Sequence, residues 1–142
     1  MDVRVWGVVE DRLIEVQAES AAADGGFRID GLPENRTRTT ADRVRAALIN
    51  ARLLEEAPPM TIRLEPVVRG LRTSELDLAI ALAVLVQAGG IGANLQWILA
   101  TGRLGLDGEV LAPGLGDRLS LADVAETLCH TPVVESELMF ED

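Results

Sequence analysis

Apolar residues recur along this chain with two periods, near two and near 3.6, and the switches between them lay out its elements. Residues 3–9 and 13–18 read as two strands around a turn at Glu10, Asp11 and Arg12, with Val3, Val5, Gly7 and Leu13, Glu15, Gln17 suggesting one wetter face. Residues 21–26 end in Asp24-Gly25-Gly26, a turn signal because glycine supplies positive φ, and 27–29 read as a third strand. Residues 31–40, GLPENRTRTT, have the composition of a surface loop in which Thr39 or Thr40 caps the next helix. From 41 to 56, Val44, Ala47, Leu48, Ala51 and Leu54 recur at helical spacing, and Pro58 and Pro59 stop that helix.

Residues 61–88 carry the clearest pattern. Residues 61–64 with 66–68 form an apolar strand that leaves its sheet at Pro66, and 70–73 form an exposed turn. Ser74 is placed to cap the helix that follows, with Asp77 setting negative charge at the positive end of its dipole. Residues 78–86 are apolar on every side of a helical wheel, which makes this the buried core helix, and the glycines at 89–92 end it. Those glycines match no phosphate-binding fingerprint, since no lysine follows. Further on, 98–106 and 109–111 read as a hairpin with a tight primed turn at Asp107-Gly108. Leu119, Ala122, Ala125 and Leu128 form one face of a closing helix, 131–135 add an edge strand, and 137–142 form an acidic mobile tail after a single domain of residues 1–136.

A chain of 142 residues, 48% hydrophobic and 25% charged, is long enough for one domain with a real core. No apolar run approaches the roughly 20 residues that span a bilayer, and the start of the chain lacks the basic and apolar regions of a secretory leader. One cysteine, Cys129, forms no internal disulfide, so the expected location is cytoplasmic. A net charge of −10 opposes polyphosphate binding, yet residues 28–72 hold nine arginines against six acids. All 13 basic residues are arginine. Arg38, Arg45 and Arg52 fall seven apart on the outer face of the first helix. They form either an anion or partner site, or a solvated face in which Arg38 pairs with Asp42 and Arg52 with Glu56.

Five ordered blocks then carry a resemblance: Gly31 to Glu34 (GLPE), Arg43 to Asn50, Thr61 to Pro66, Asp77 to Ile80, and Gly102 to Gly108 (GRLGLDG). Together they resemble the Lon-proteolytic-type domain at the front of magnesium-chelatase-like AAA+ proteins of the competence group, over roughly residues 3–125. The implied fold class is α+β, Lon protease proteolytic-domain-like, a mixed sheet with two or three packed helices.

Lon-type proteases pair a serine with a lysine that removes its proton. A guanidinium stays charged and cannot replace that amine. Carried onto this chain, the serine position falls at Glu75 or Ser74 and the lysine near Leu119, so Ser74 and Glu75 stand at a degenerate nucleophile position. Cys129 and His130 are sequence neighbours whose side chains diverge, and two such groups are too few for zinc. Glu75 and Asp77 do not share a helix face, so no metal site is expected. The resemblance with its missing dyad implies no enzyme and no cofactor. It implies a non-catalytic protein-interaction module, stand-alone or excised from its ATPase segment, whose partners are copies of itself and an AAA+ ATPase, with no membrane role. The alternative is accessory nucleic-acid binding for a DNA-processing motor through Arg36, Arg38, Arg45, Arg52, Arg69 and Arg72. A third reading is residual hydrolysis at Ser74 with an unconventional base.

Overall fold

The computed structural model describes residues 3–22, 25–56, 58–68, 73–89, 96–111, 119–130 and 138–140. The opening hairpin joins β1 (Arg4–Val9) to β2 (Arg12–Ser20) in register from Val5↔Val16 to Val9↔Arg12. Glu10 and Asp11 turn it with φ of 49° and 66°; two consecutive left-handed residues match the twist of the flanking strands. Glu15 and Gln17 belong to the wetter face with Leu13, but Val5 and Gly7, expected there too, lie on the opposite face and point into the core with Val9, Ile14 and Val16, because the register sets them beside Val16 and Ile14.

β3 (Phe27–Asp30) and β4 (Met60–Glu65) pair in parallel, and β4 inserts antiparallel beside β2. β5 (Trp97–Ala100) adds in parallel to β1, and β9 (Leu138–Phe140) in parallel to β5. The result is a mixed six-stranded sheet in the order β3-β4-β2-β1-β5-β9. Residues 138–140, inside the stretch read as a mobile tail, therefore pair in the sheet. The edge strand expected at 131–135 lies outside the described residues.

Helix α1 (Glu34–Asn50) starts seven residues earlier and ends six earlier than its apolar pattern suggests. Pro33 occupies the N-cap with φ −54°, and no side chain caps the helix, so Thr39 and Thr40 lie inside it, Thr40 buried. Proline suits the start of a helix, where its missing N–H is no loss. The stop also differs. Arg52 takes φ 62° and the Leu53 N–H reaches back to the Leu48 carbonyl at 3.1 Å, closing the helix before the prolines.

Helix α2 (Asp77–Gln87) is the core helix: every residue from Asp77 to Leu85 is buried. A 3-10 turn, Thr73–Leu76, leads into it, and Leu76, not Ser74, sits at its N-cap with no side-chain cap bond. Ser74 does not cap the helix because the extra turn places it too far upstream. Gly89, at φ 84°, ends α2 as expected. Gly7 on β1 makes room for this helix, since a Cβ there would stand 2.5 Å from Leu76 Cδ2 and 3.1 Å from Ala79 Cβ.

A second sheet of β6 (Arg103–Leu104), β7 (Glu109–Leu111) and β8 (Leu119–Ser120) flanks the start of α2. Its hairpin turns over four residues: Gly108 donates to the Gly105 carbonyl at 3.0 Å and Gly105 to the Glu109 carbonyl at 2.9 Å, with Gly108 at φ 93°. Leu106 and Asp107 keep negative φ, so the expected two-residue primed turn is replaced by a wider turn closed by a left-handed glycine. Helix α3 (Leu121–His130) buries Ala125 and Leu128 as its pattern predicts, with Leu121 and Val124 beside them where Leu119 and Ala122 were expected, because Leu119 precedes the helix in β8. Ser120 Oγ accepts from the Asp123 N–H at 3.0 Å, and Asp123 Oδ2 accepts from the Ser120 N–H at 3.4 Å, a reciprocal cap.

Candidate functional site

A carboxylate sits at the centre of the fold. Asp77, fully buried at the first position of α2, receives Arg43 Nε on Oδ2 at 2.7 Å and Arg43 Nη2 on Oδ1 at 2.9 Å. The Leu104 N–H of β6 adds a third bond to Oδ2 at 3.0 Å. Arg43 reaches inward from α1 because it flanks the apolar arc of Ala47 and Val44, and its side chain is only 19% exposed. Burial pushes the Asp77 carboxyl above its ordinary value, while the guanidinium and the amide pull it back down. The Arg43 guanidinium is in turn raised, first by its bond to Asp77.

Further bonds lock the same neighbourhood. Gly102 donates to the Glu75 carbonyl at 3.0 Å and its own carbonyl accepts from the Leu78 N–H at 3.0 Å, so the hairpin strand clips both ends of the bend into α2. Asn50 Nδ2, one turn past the inner face of α1, donates to the Leu106 carbonyl at 2.7 Å. Gly108 packs so closely on the end of α1 that a Cβ would stand 3.0 Å from Ala51 Cβ. Both oxygens of Asp77 are thus committed to holding α1, α2 and the hairpin together. Ser74 and Glu75 lie half-buried on the adjoining 3-10 turn. Among the described residues no group of three or more His, Cys, Asp or Glu could hold a metal ion.

Among the described residues, the arginines singled out from the sequence are not all gathered in one cleft. An open cleft of about 640 Å³ between β3 and α1 brings Arg38 and Arg45 together with Arg28. Asp30, Glu34 and Asp42 line the same cleft. Arg45 pairs with Asp42 three residues earlier, so the expected Arg38–Asp42 pair is replaced by Arg45–Asp42. No Arg52–Glu56 ion pair forms, since Arg52 lies past the end of the helix and the two are no longer one turn apart on it. Arg36 is half-buried, on the Arg43 side of α1, and Arg69 and Arg72 lie outside the described residues. Arg43 itself is the residue that sequence reasoning passed over. Its signal was an arginine set against an apolar arc, seven residues before Asn50, which bonds to the Leu106 carbonyl.

Fold and site together define a two-layer α+β domain built around a structural ion pair. Residues 14–114 match the family model described as subunit ChlI of Mg-chelatase, and the chain belongs to that family. It is 29% identical over 103 residues to the competence protein ComM of Haemophilus influenzae. It is 31% identical over 103 residues to uncharacterized proteins of Mycobacterium tuberculosis and Mycobacterium bovis. In each case the match takes in 72% of this chain and 20% of the relative, so the chain spans about a fifth of the curated relatives it matches. Among the described residues no helix is long and apolar enough to cross a membrane.

Proposed function

We propose that this chain is a non-catalytic protein-interaction module of a magnesium-chelatase-like AAA+ system, with a Lon-type fold, acting in the cytoplasm through contacts with copies of itself and with an AAA+ ATPase. The observation that carries this reading is the commitment of both Asp77 oxygens to the framework. The acidic group next to the degenerate nucleophile turn is fully buried and takes three hydrogen bonds that join α1, α2 and the hairpin. The sequence contains no lysine, and its arginines cannot supply a neutral amine to Ser74. The matching family is described as a subunit, which favours a domain that works inside an assembly.

The test is direct. Incubation with casein and with fluorogenic peptides is expected to yield no hydrolysis above background, and co-sedimentation with an AAA+ ATPase of this family is expected to show binding. Peptide hydrolysis that disappears in Ser74→Ala overturns the reading.

The nucleic-acid alternative draws less support. The cleft that gathers Arg28, Arg38 and Arg45 holds three acids as well, so its net field is weak, and few aromatics are present for base stacking.

A further inference from the structure

We infer that the free edge of β3 is a self-pairing surface, at which two copies of this chain join their sheets antiparallel about a two-fold axis through Ile29. The inference rests on the reading of the domain as an interaction module and names the surface that module uses.

β3 is the last strand of the six-stranded sheet, and among the described residues no strand lies on its outer side. The phase of its hydrogen bonds is set on the inner side. The Gly26 carbonyl accepts from the Met60 N–H at 2.9 Å, and Phe27↔Met60 and Ile29↔Ile62 are the partners in register. In a parallel pair alternate residues address the neighbour, so Arg28 and Asp30 turn their main-chain groups to β4. Phe27 and Ile29 therefore direct an N–H and a C=O each to the open edge. Such an edge is a template for another strand.

Charge selects the occupant. Arg28 and Asp30 are both exposed and lie two residues apart on one face of β3, either side of Ile29. In an antiparallel pair centred on Ile29, residue 28 of one copy stands opposite residue 30 of the other, and the reverse. Two cross-strand Arg–Asp pairs then form, replacing the single loose contact of 3.5 Å that the two side chains make within one chain. A one-residue slip would set Ile29, which is buried in the core, opposite a charged residue, so the register is selected by burial as well. The cleft beside this edge holds three cations and three anions, Arg28, Arg38 and Arg45 with Asp30, Glu34 and Asp42. A balanced lining of that kind suits its own copy better than a polyanion or a uniformly charged peptide.

Sedimentation equilibrium of the 142-residue chain tests the inference. The expected result is a monomer–dimer equilibrium at tens of micromolar. Arg28→Asp or Asp30→Arg alone sets like charges face to face and should weaken it about tenfold or more. The double swap, Arg28→Asp with Asp30→Arg, restores opposite charges across the axis and should recover the wild-type constant. Both positions are exposed, and thermal melts of each variant check that the fold is kept. A chain that stays monomeric through this range overturns the inference, as does a dimer indifferent to both reversals or a double swap as weak as the singles. An edge reserved for another protein's strand leaves the chain monomeric and so counts against it too. A dimer indifferent to the reversals leaves the module reading standing, whereas peptide hydrolysis through Ser74 removes that reading without touching the edge.

Discussion

Replacing Arg43 with alanine should cost about 3–5 kcal/mol of folding stability, because it strands a buried carboxylate. The figure follows from the geometry. Asp77 is 0% exposed, and the guanidinium supplies two of its three hydrogen bonds, at 2.7 and 2.9 Å. Without Arg43 only the Leu104 N–H remains. Arg43→Lys should recover only part of the loss, since a single ammonium cannot make the two-point contact. The double variant Arg43→Met with Asp77→Leu separates the pair from its setting. Removing both charges spares their desolvation but leaves the buried Leu104 amide without its acceptor, a penalty of about 1–3 kcal/mol. The double variant should therefore be more stable than Arg43→Ala. Urea unfolding followed by circular dichroism gives each value from the shift in midpoint at constant slope. A loss below about 1 kcal/mol in Arg43→Ala, or a double variant less stable than that single one, refutes the claim that this ion pair holds the core.

Three further outcomes are expected. Gly31→Ala should destabilise the domain by about 2 kcal/mol or more, because Gly31 has φ 108° and a Cβ there would meet the Leu64 main-chain oxygen at 2.8 Å; thermal melts measure it. Arg52→Gly should stabilise by about 1 kcal/mol, since an exposed side chain now holds φ 62° where glycine is unstrained, and the same melts would show a raised midpoint. The third concerns acidity. With its folded value raised above 3.8, Asp77 holds its proton more tightly in the folded chain than in the unfolded one. Its contribution is full below 3.8 and declines as pH rises through the folded value, so wild type should gain on Asp77→Asn as the pH is lowered through that value towards 3.8. The opposite slope would mean that Arg43 outweighs burial at this site.

Local pattern carried most of the architecture. The opening hairpin, the third strand, the strand that leaves at Pro66 and the wholly apolar core helix were all legible, because each is written in residues adjacent in sequence. Errors gathered where a distant part of the chain decides the outcome. Thr39 and Thr40 look like caps for α1, but Leu32 is buried and Pro33 follows it, so the helix is seated from further upstream. Asn50 and Arg52 end α1 ahead of the prolines because Asn50 must meet the Leu106 carbonyl and Gly108 must pack on Ala51. Asp77 could be read as a dipole partner at a helix start; that it faces Arg43, 34 residues away, could not. The arginine stripe failed for a related reason. Spacing of seven describes a face only while the helix lasts, and the helix stops before Arg52.

The five blocks that link this chain to its family all prove to be places where the backbone has little choice. Gly31 passes against Leu64 and its carbonyl accepts from the Val68 N–H at 2.7 Å. Pro33 starts α1, Arg43 reaches inward from it to Asp77, Asn50 bonds the hairpin at the Leu106 carbonyl, and Gly102 and Gly108 let the hairpin close against the helices. Likeness over such blocks reports a shared shape and leaves the surface free to vary. Arg28 and Asp30 fall just before the first block, on an edge strand of the large sheet that has no strand on its outer side among the described residues. Because the buried Arg43–Asp77 pair belongs to the framework while Arg28 and Asp30 are exposed, a charge reversal at β3 tests the proposed edge pairing with less disturbance of folding than any change at Asp77.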